Sequence, residues 1–249
     1  MAFTVQDITY TIIFGHNVSA KSSNIDINTN NLVLDTVTTT DPLYAGTYII
    51  TEIENGAFYN CTMLTGSLTI GGSVTSIGNS AFTFCTGLTG SLTIGASVTS
   101  IDDYAFSTCS ALTGFITIPE GVTRIGQYTF YGLEALIGPI TIPASVTVIG
   151  EGAFNWCPLV SNYIFLGDAP TPENLGNNIF DNGATEATIT YTLGTTGWSE
   201  TWPFVSPPYE GTQLVSKARV HRPTPTMITS TSFNVFTTNF MGMGNDFQY

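Results

Sequence analysis

Apolar positions in this chain follow two alternating spacings, and the pair recurs every 24 residues. In the first, apolar residues alternate with threonine: Leu68-Thr69-Ile70, Leu92-Thr93-Ile94, Ile116-Thr117-Ile118 and Ile140-Thr141-Ile142. A period of two built on β-branched residues predicts a short strand with one face on a core. In the second, Ala81-Phe82-x-x-Cys85-x-x-Leu88 sets apolar groups three and four apart. That spacing suits a single helical or 3₁₀ turn packing back on the sheet. Between the two, Val74 and Ile77, Val98 and Ile101, Val122 and Ile125, and Val146 and Ile149 are read as pointing inward.

The four full units are 67–90, 91–114, 115–138 and 139–162. A fixed period of this length predicts a solenoid, because one unit cannot bury its own apolar side and must stack on the next. One strand per coil gives a parallel sheet, each strand ended by Gly71, Gly95, Pro119 or Pro143. Gly78, Asp102, Gly126 and Gly150 share a column of residue types that tolerate a left-handed turn, so the chain is expected to reverse there. Phe82, Phe106, Phe130 and Phe154 are expected to stack inside the coil as core.

The pattern I-x-x-x-A-F-x-x-C-x-x-L, preceded by L-T-I-P/G-x-x-V-T-x-I, resembles the BspA-like leucine-rich repeat family. The match runs from Ile53, Ala57, Phe58, Cys61 and Leu64 through the four full units, with Thr129 in place of Ala and Leu133 in place of Cys. The resemblance implies a leucine-rich-repeat solenoid, predominantly β with short helical or 3₁₀ turns. Four regions are expected: a β-rich N-terminal cap over 1–48, the solenoid over 49–162, a C-terminal cap over 163–216 and an extended anchoring tail over 217–249. Caps are needed to cover the open sheet edges and core faces of such an array.

Composition narrows the class of function. Only 9% of residues are charged, with a net charge of −13. Through residue 216 seventeen carboxylates face Lys21 and Arg124, whereas the tail carries Lys217, Arg219 and Arg222 against Asp246. An acidic body argues against nucleic acid and against anionic lipid, both of which need clustered bases. The opening MAFTVQDITY lacks the basic start and continuous apolar stretch of a signal peptide, so no export leader is expected in it. No membrane insertion is expected, because no stretch approaches the roughly 18 apolar residues of a membrane helix.

Cys61, Cys85, Cys109 and Cys157 share one column and are expected to be buried free thiols, since stacked coils present them with parallel side-chain directions that suit a disulfide poorly. His16 and His221 are the two histidines, and neither lies near a cysteine or carboxylate in sequence. No phosphate loop, metal spacing or nucleophile elbow is present. Glu52 with Glu54 and Asp102 with Asp103 read as a solvated surface. The expectation is a protein with no catalytic residue, no cofactor and no metal. Asn17 and Asn60 begin sequons and are candidate glycosylation sites. Thr69, Thr93, Thr117 and Thr141 form one outward file and Thr75, Thr99, Thr123 and Thr147 another, as a half-exposed pleated surface favours.

The tail breaks the repeat pattern. It brings Phe233, Val235, Phe236, Phe240, Met241, Met243, Phe247 and Tyr249 after its basic opening. A segment that needed only water would be poor in aromatics, and these left exposed would form an adhesive patch. The tail therefore either folds back along its own solenoid or docks on another chain, and the second reading is carried forward as its partner-binding role. The family resemblance implies display on bacterial, protist or large-DNA-virus surfaces. The function expected is a structural or interaction protein: a solenoid held on a larger assembly, a virion capsid or surface, by its tail. The alternatives are a cell-surface adhesin for host protein or glycan, with Tyr104, Tyr128, Tyr131 and Trp156 as contacts, and a self-assembling filament subunit. For Trp156 the sequence leaves core and surface both open.

Overall fold

The computed structural model describes residues 2–5, 8–14, 17–22, 30–39, 46–180, 187–198 and 219–221, with side chains at 32–38, 46–180 and 187–198. The N-terminal strands are β1 (Ala2–Val5), β2 (Ile8–Phe14), β3 (Asn17–Ser22), β4 (Asn30–Leu34), β5 (Thr36–Thr39) and β6 (Gly46–Ile53). The repeats contribute β7 (Thr65–Ile70), β8 (Ser76–Ile77), β9 (Leu92–Ile94), β10 (Ser100–Ile101), β11 (Arg124–Ile125), β12 (Ile140–Ile142) and β13 (Val148–Ile149). After them come β14 (Asn162–Phe165), β15 (Thr188–Tyr191) and β16 (Arg219–His221).

Each coil carries two strand positions rather than the one expected. The alternating Leu-Thr-Ile segments pair in parallel as β4-β7-β9 and again as β12-β14-β15-β16. Between these two stacks the third coil contributes only the bridge Thr117↔Thr141. Proline supplies the physical reason. In this column Gly71 N–H donates to Leu34 O at 2.7 Å and Leu166 N–H to Ile142 O at 3.0 Å, a bond that Pro119 and Pro143 have no N–H to make. The second position is only two residues long, Ser76–Ile77 and its equivalents, stacked β6-β8-β10-β11-β13 in strict register. Here Thr75, Thr99 and Thr147 donate both N–H and hydroxyl to Thr51 O, Thr75 O and Thr123 O one coil earlier. That file of threonines is thus occupied in holding coils together.

The expected helical turn is realised as consecutive i→i+3 bonds: Ala57 to Glu54, Tyr59 to Gly56, Cys61 to Phe58 and Leu64 to Cys61. These turns also ladder between coils, with Gly56 N–H on Asn79 O (2.8 Å), Phe58 N–H on Ala81 O (2.7 Å) and Asn60 N–H on Thr83 O (2.7 Å). Outside the proline-interrupted third coil, the coils therefore spend backbone groups on their neighbours along three sides, as a buried backbone requires.

The core is the stack Phe58, Phe82, Phe106, Phe130 and Phe154, with successive ring centroids 5.0, 5.4, 5.7 and 5.5 Å apart and nearly parallel planes. Phe180 extends it by 5.9 Å, and Tyr163 closes over both end rings. The four cysteines are buried and form no disulfide. The thiols of Cys85, Cys109 and Cys157 donate to the phenylalanine carbonyls of the preceding coil, Phe58 O, Phe82 O and Phe130 O, at 3.0, 3.0 and 3.2 Å. Thr129, in the alanine column, satisfies its buried hydroxyl on Asp102 O at 3.2 Å.

Beyond the repeats, Phe165 and Tyr191 pack on Trp198, the latter stacked at 4.9 Å. Arg219–His221 adds a further parallel strand on β15, Thr188 opposite Arg219. The amino-acid pattern gave no signal for that strand. At the other end β1, β2 and β3 form an antiparallel meander joined in parallel to β6.

The glycine column at 78, 126 and 150 corrects the sequence reading. The left-handed residues lie two positions later, at Gly56, Ser80, Tyr104, Tyr128 and Gly152, and again at Asn60, Phe84, Thr108, Gly132 and Trp156. What Gly78, Gly126 and Gly150 need is space, since a Cβ would fall 2.7, 2.7 and 2.6 Å from the backbone nitrogen of Asn55, Asp103 and Gln127. Those neighbours are caps. Asn55 Oδ1 accepts from Asn79 N–H and Asp103 Oδ1 from Gln127 N–H, both at 2.8 Å.

Candidate interaction surface

The two left-handed columns fix where the turn side of each coil aims its side chains. An L-residue there costs about 1–2 kcal/mol, which glycine escapes. Glycine is used at Gly56, Gly132 and Gly152, yet the same columns hold Tyr104 (φ 60°), Tyr128 (φ 51°), Phe84 (φ 63°) and Trp156 (φ 62°). These rings do not repay the strain with deep burial: Trp156 is 51% exposed, Phe84 40% and Tyr104 37%. Tyr59, 48% exposed, and the half-buried Tyr131 join them from the position just before the second column.

Neighbouring rings order one another. Tyr59 meets Phe84 edge-on at 5.8 Å, Tyr104 stacks on Tyr128 at 5.3 Å, and Tyr131 meets Tyr128 edge-on at 5.7 Å. The Tyr128 ring leans over Gly152, where a Cβ would collide with it. Its hydroxyl donates to Glu151 Oε1 at 2.7 Å. That bond, then burial and the nearby carboxylate charge, push the phenol up to about 12, so it stays a neutral donor across physiological pH.

Carboxylates border the rings. Glu54 and Asp102 stand two positions before the first left-handed column, and Asp103 and Glu151 stand immediately before it. Arg124 is the one basic residue whose side chain is among those described, and its guanidinium lies 2.9 Å from Asp103 Oδ1. The surface is a ridge of aromatic rings along the turn side of the solenoid, edged in negative charge.

Of the residues singled out from sequence, Tyr104, Tyr128 and Tyr131 come into ring contact, and Trp156 stands in the repeat column of Phe84 and Gly132, surface rather than core. Tyr59 and Phe84 were missed. The signal that would have found them is the exchange of glycine and aromatic residues within one repeat column. Asn60 is exposed at a left-handed turn position, and Asn17 opens β3 opposite Ile49. Arg219 is placed by its backbone in β16. Lys217, Arg222, Phe233, Val235, Phe236, Phe240, Met241, Met243, Phe247 and Tyr249 lie outside the described residues. Among the described residues no group of three or more His, Cys, Asp or Glu is placed to hold a metal ion, and no helix is long and apolar enough to cross a membrane.

Residues 47–161 match the family model described as BspA type Leucine rich repeat region, in six copies. Among solved structures, a leucine rich cell surface protein from Faecalibacterium prausnitzii is similar at 28% identity and a TM-score of 0.57, over 77% of this chain and 54% of that one. A leucine rich repeat protein from T. pallidum is similar at 22% identity and a TM-score of 0.56, over 73% of this chain and 89% of that one. The chain thus spans about half the length of the Faecalibacterium protein. No curated protein matches the chain.

Proposed function

We propose that this chain, whose residues 47–161 are a BspA-type leucine-rich repeat region, is an interaction protein of an external surface that binds a protein partner along its aromatic ridge. The observation that carries this reading is the placement of exposed tyrosine, phenylalanine and tryptophan at left-handed positions where glycine fits without strain. At Trp156 half the side chain stays exposed, so packing returns only part of that strain, whereas an aromatic anchor gains the rest on binding. The cell surface is the favoured location, in line with the description of the Faecalibacterium protein. Nothing in the reading requires catalysis.

The segment 217–249 is proposed as the attachment to the larger assembly, its aromatic and methionine side chains serving as anchors and Lys217, Arg219 and Arg222 as its basic approach. Display on a virion or growth into a filament differs from cell-surface display only in what that segment holds.

Adhesion measurements test the main reading. Beads carrying the full chain are presented to cell layers and to immobilised extracellular proteins, beside beads carrying Tyr59→Ser, Tyr131→Ser and Trp156→Gly together. Retention is expected to fall by roughly tenfold or more for the variant, as loss of central aromatic anchors predicts. Equal retention of both would sink the reading. A chain ending at Ser216 should keep ridge binding and lose attachment to its own assembly.

A further inference from the structure

The geometry points to a lysine- or arginine-rich extended segment of a partner protein as the occupant of the ridge, an inference that rests on the interaction reading above. Three observations on the same surface favour a cation. The exposed rings of Tyr59, Phe84, Tyr104 and Trp156 carry electron-rich faces, which attract ammonium and guanidinium groups. Asp103 and Asp102 stand one and two positions before Tyr104, and Glu151 accepts the hydroxyl of Tyr128, the ring stacked on Tyr104. Positive charge is nearly absent: Arg124 is the one base among described side chains, and it is engaged with Asp103. An acidic peptide, a sulfated glycan or an anionic membrane would meet uncompensated repulsion here.

Length is consistent with a peptide. The rings run across four coil steps, from Tyr59 to Trp156. At about 4.8 Å per step the ridge is roughly 19 Å long, which an extended segment of about six residues covers. Alternate side chains of such a segment would face the ridge, and the others would face solvent.

The test measures binding of the full chain to an octapeptide alternating Lys and Ser, beside peptides with Gln or Glu in place of Lys and a neutral chito-oligosaccharide. Two variants remove charge or ring while leaving the turn hydrogen bonds, the first giving up only the exposed ion pair of Asp103 with Arg124. Asp103→Asn with Glu151→Gln keeps the acceptors for Gln127 N–H and the Tyr128 hydroxyl, as Asn55 already caps its own neighbour. Trp156→Gly removes a ring at a position where glycine is at ease.

The lysine peptide is expected to bind, and the glutamine and glutamate peptides to bind far more weakly. Each variant should weaken lysine-peptide binding by roughly tenfold, and affinity should fall as salt rises from about 50 to about 500 mM. Urea midpoints of the variants should match or exceed that of the parent, which separates lost recognition from lost folding. Lysine binding no tighter than glutamine binding overturns the inference. If the oligosaccharide or the glutamine peptide then binds in a Trp156-dependent way, the ridge still stands as an interaction surface with a neutral occupant. If no probe responds to any ridge variant, the interaction reading falls too. Self-association of the parent that is lost in Asp103→Asn with Glu151→Gln would assign the ridge to a second copy's basic segment and overturn the foreign partner.

Discussion

At Trp156 the side chain and the backbone pull in opposite directions. Its left-handed φ of 62° carries strain of about 1–2 kcal/mol, while half its surface remains exposed. Trp156→Gly is therefore expected to leave the urea midpoint unchanged or raise it, by up to about 1 kcal/mol once the added backbone entropy of glycine is set against the relieved strain. Phe106, in the middle of the ring stack, is the opposite case, and Phe106→Ala should lose about 3–5 kcal/mol. Chemical denaturation of the two variants decides both. The cysteines make a second residue-scale prediction. Burial pushes the Cys157 thiol up to about 12 from its ordinary 9.0, and hydrogen bonding with Cys109 followed by burial raises Cys85. Because the protonated form of Cys157 is favoured in the folded state, the stability it contributes is complete below pH 9 and is lost as pH rises towards 12. Thiol-reactive dye at pH 8 should leave all four cysteines unlabelled in the native chain and label them after denaturation.

Turn caps show the element scale. In two coils the side chain just before the first left-handed residue accepts an N–H from the next coil: Asn55 for Asn79 and Asp103 for Gln127. Asp103→Asn should keep the stability of the parent and Asp103→Ala should lower it by about 1 kcal/mol, measured by thermal or urea unfolding. The long alternating strands were legible from sequence because their period of two survives over three residues or more. The second strand ladder was not. Ser76–Ile77 and its equivalents are two residues long, too short for any period, and are strands only because the adjacent coils pair with them. The glycines at 78, 126 and 150 were misjudged for a related reason: glycine serves close backbone approach as well as left-handed turns, and only the neighbouring coil tells which.

At the scale of the molecule the coils are near-equivalent units joined only to their neighbours, so stability is distributed along the stack. Deleting residues 91–114, one full period, should leave a shorter chain with the same far-UV spectrum and cooperative unfolding, whereas deleting half that span should abolish both. The sequence by itself determined the period, the inward columns, the phenylalanine stack, the burial of the cysteines and the acidic sign of the surface. Each of these follows from what must leave water in a repeated unit. Tertiary structure alone decided which residues stand in left-handed conformation and hence where the aromatic ridge lies. Tyr104 and Phe84 have no local preference for that backbone. They hold it because their N–H groups donate to Gln127 O and Ser107 O in the next coil, bonds that exist only once the solenoid is stacked.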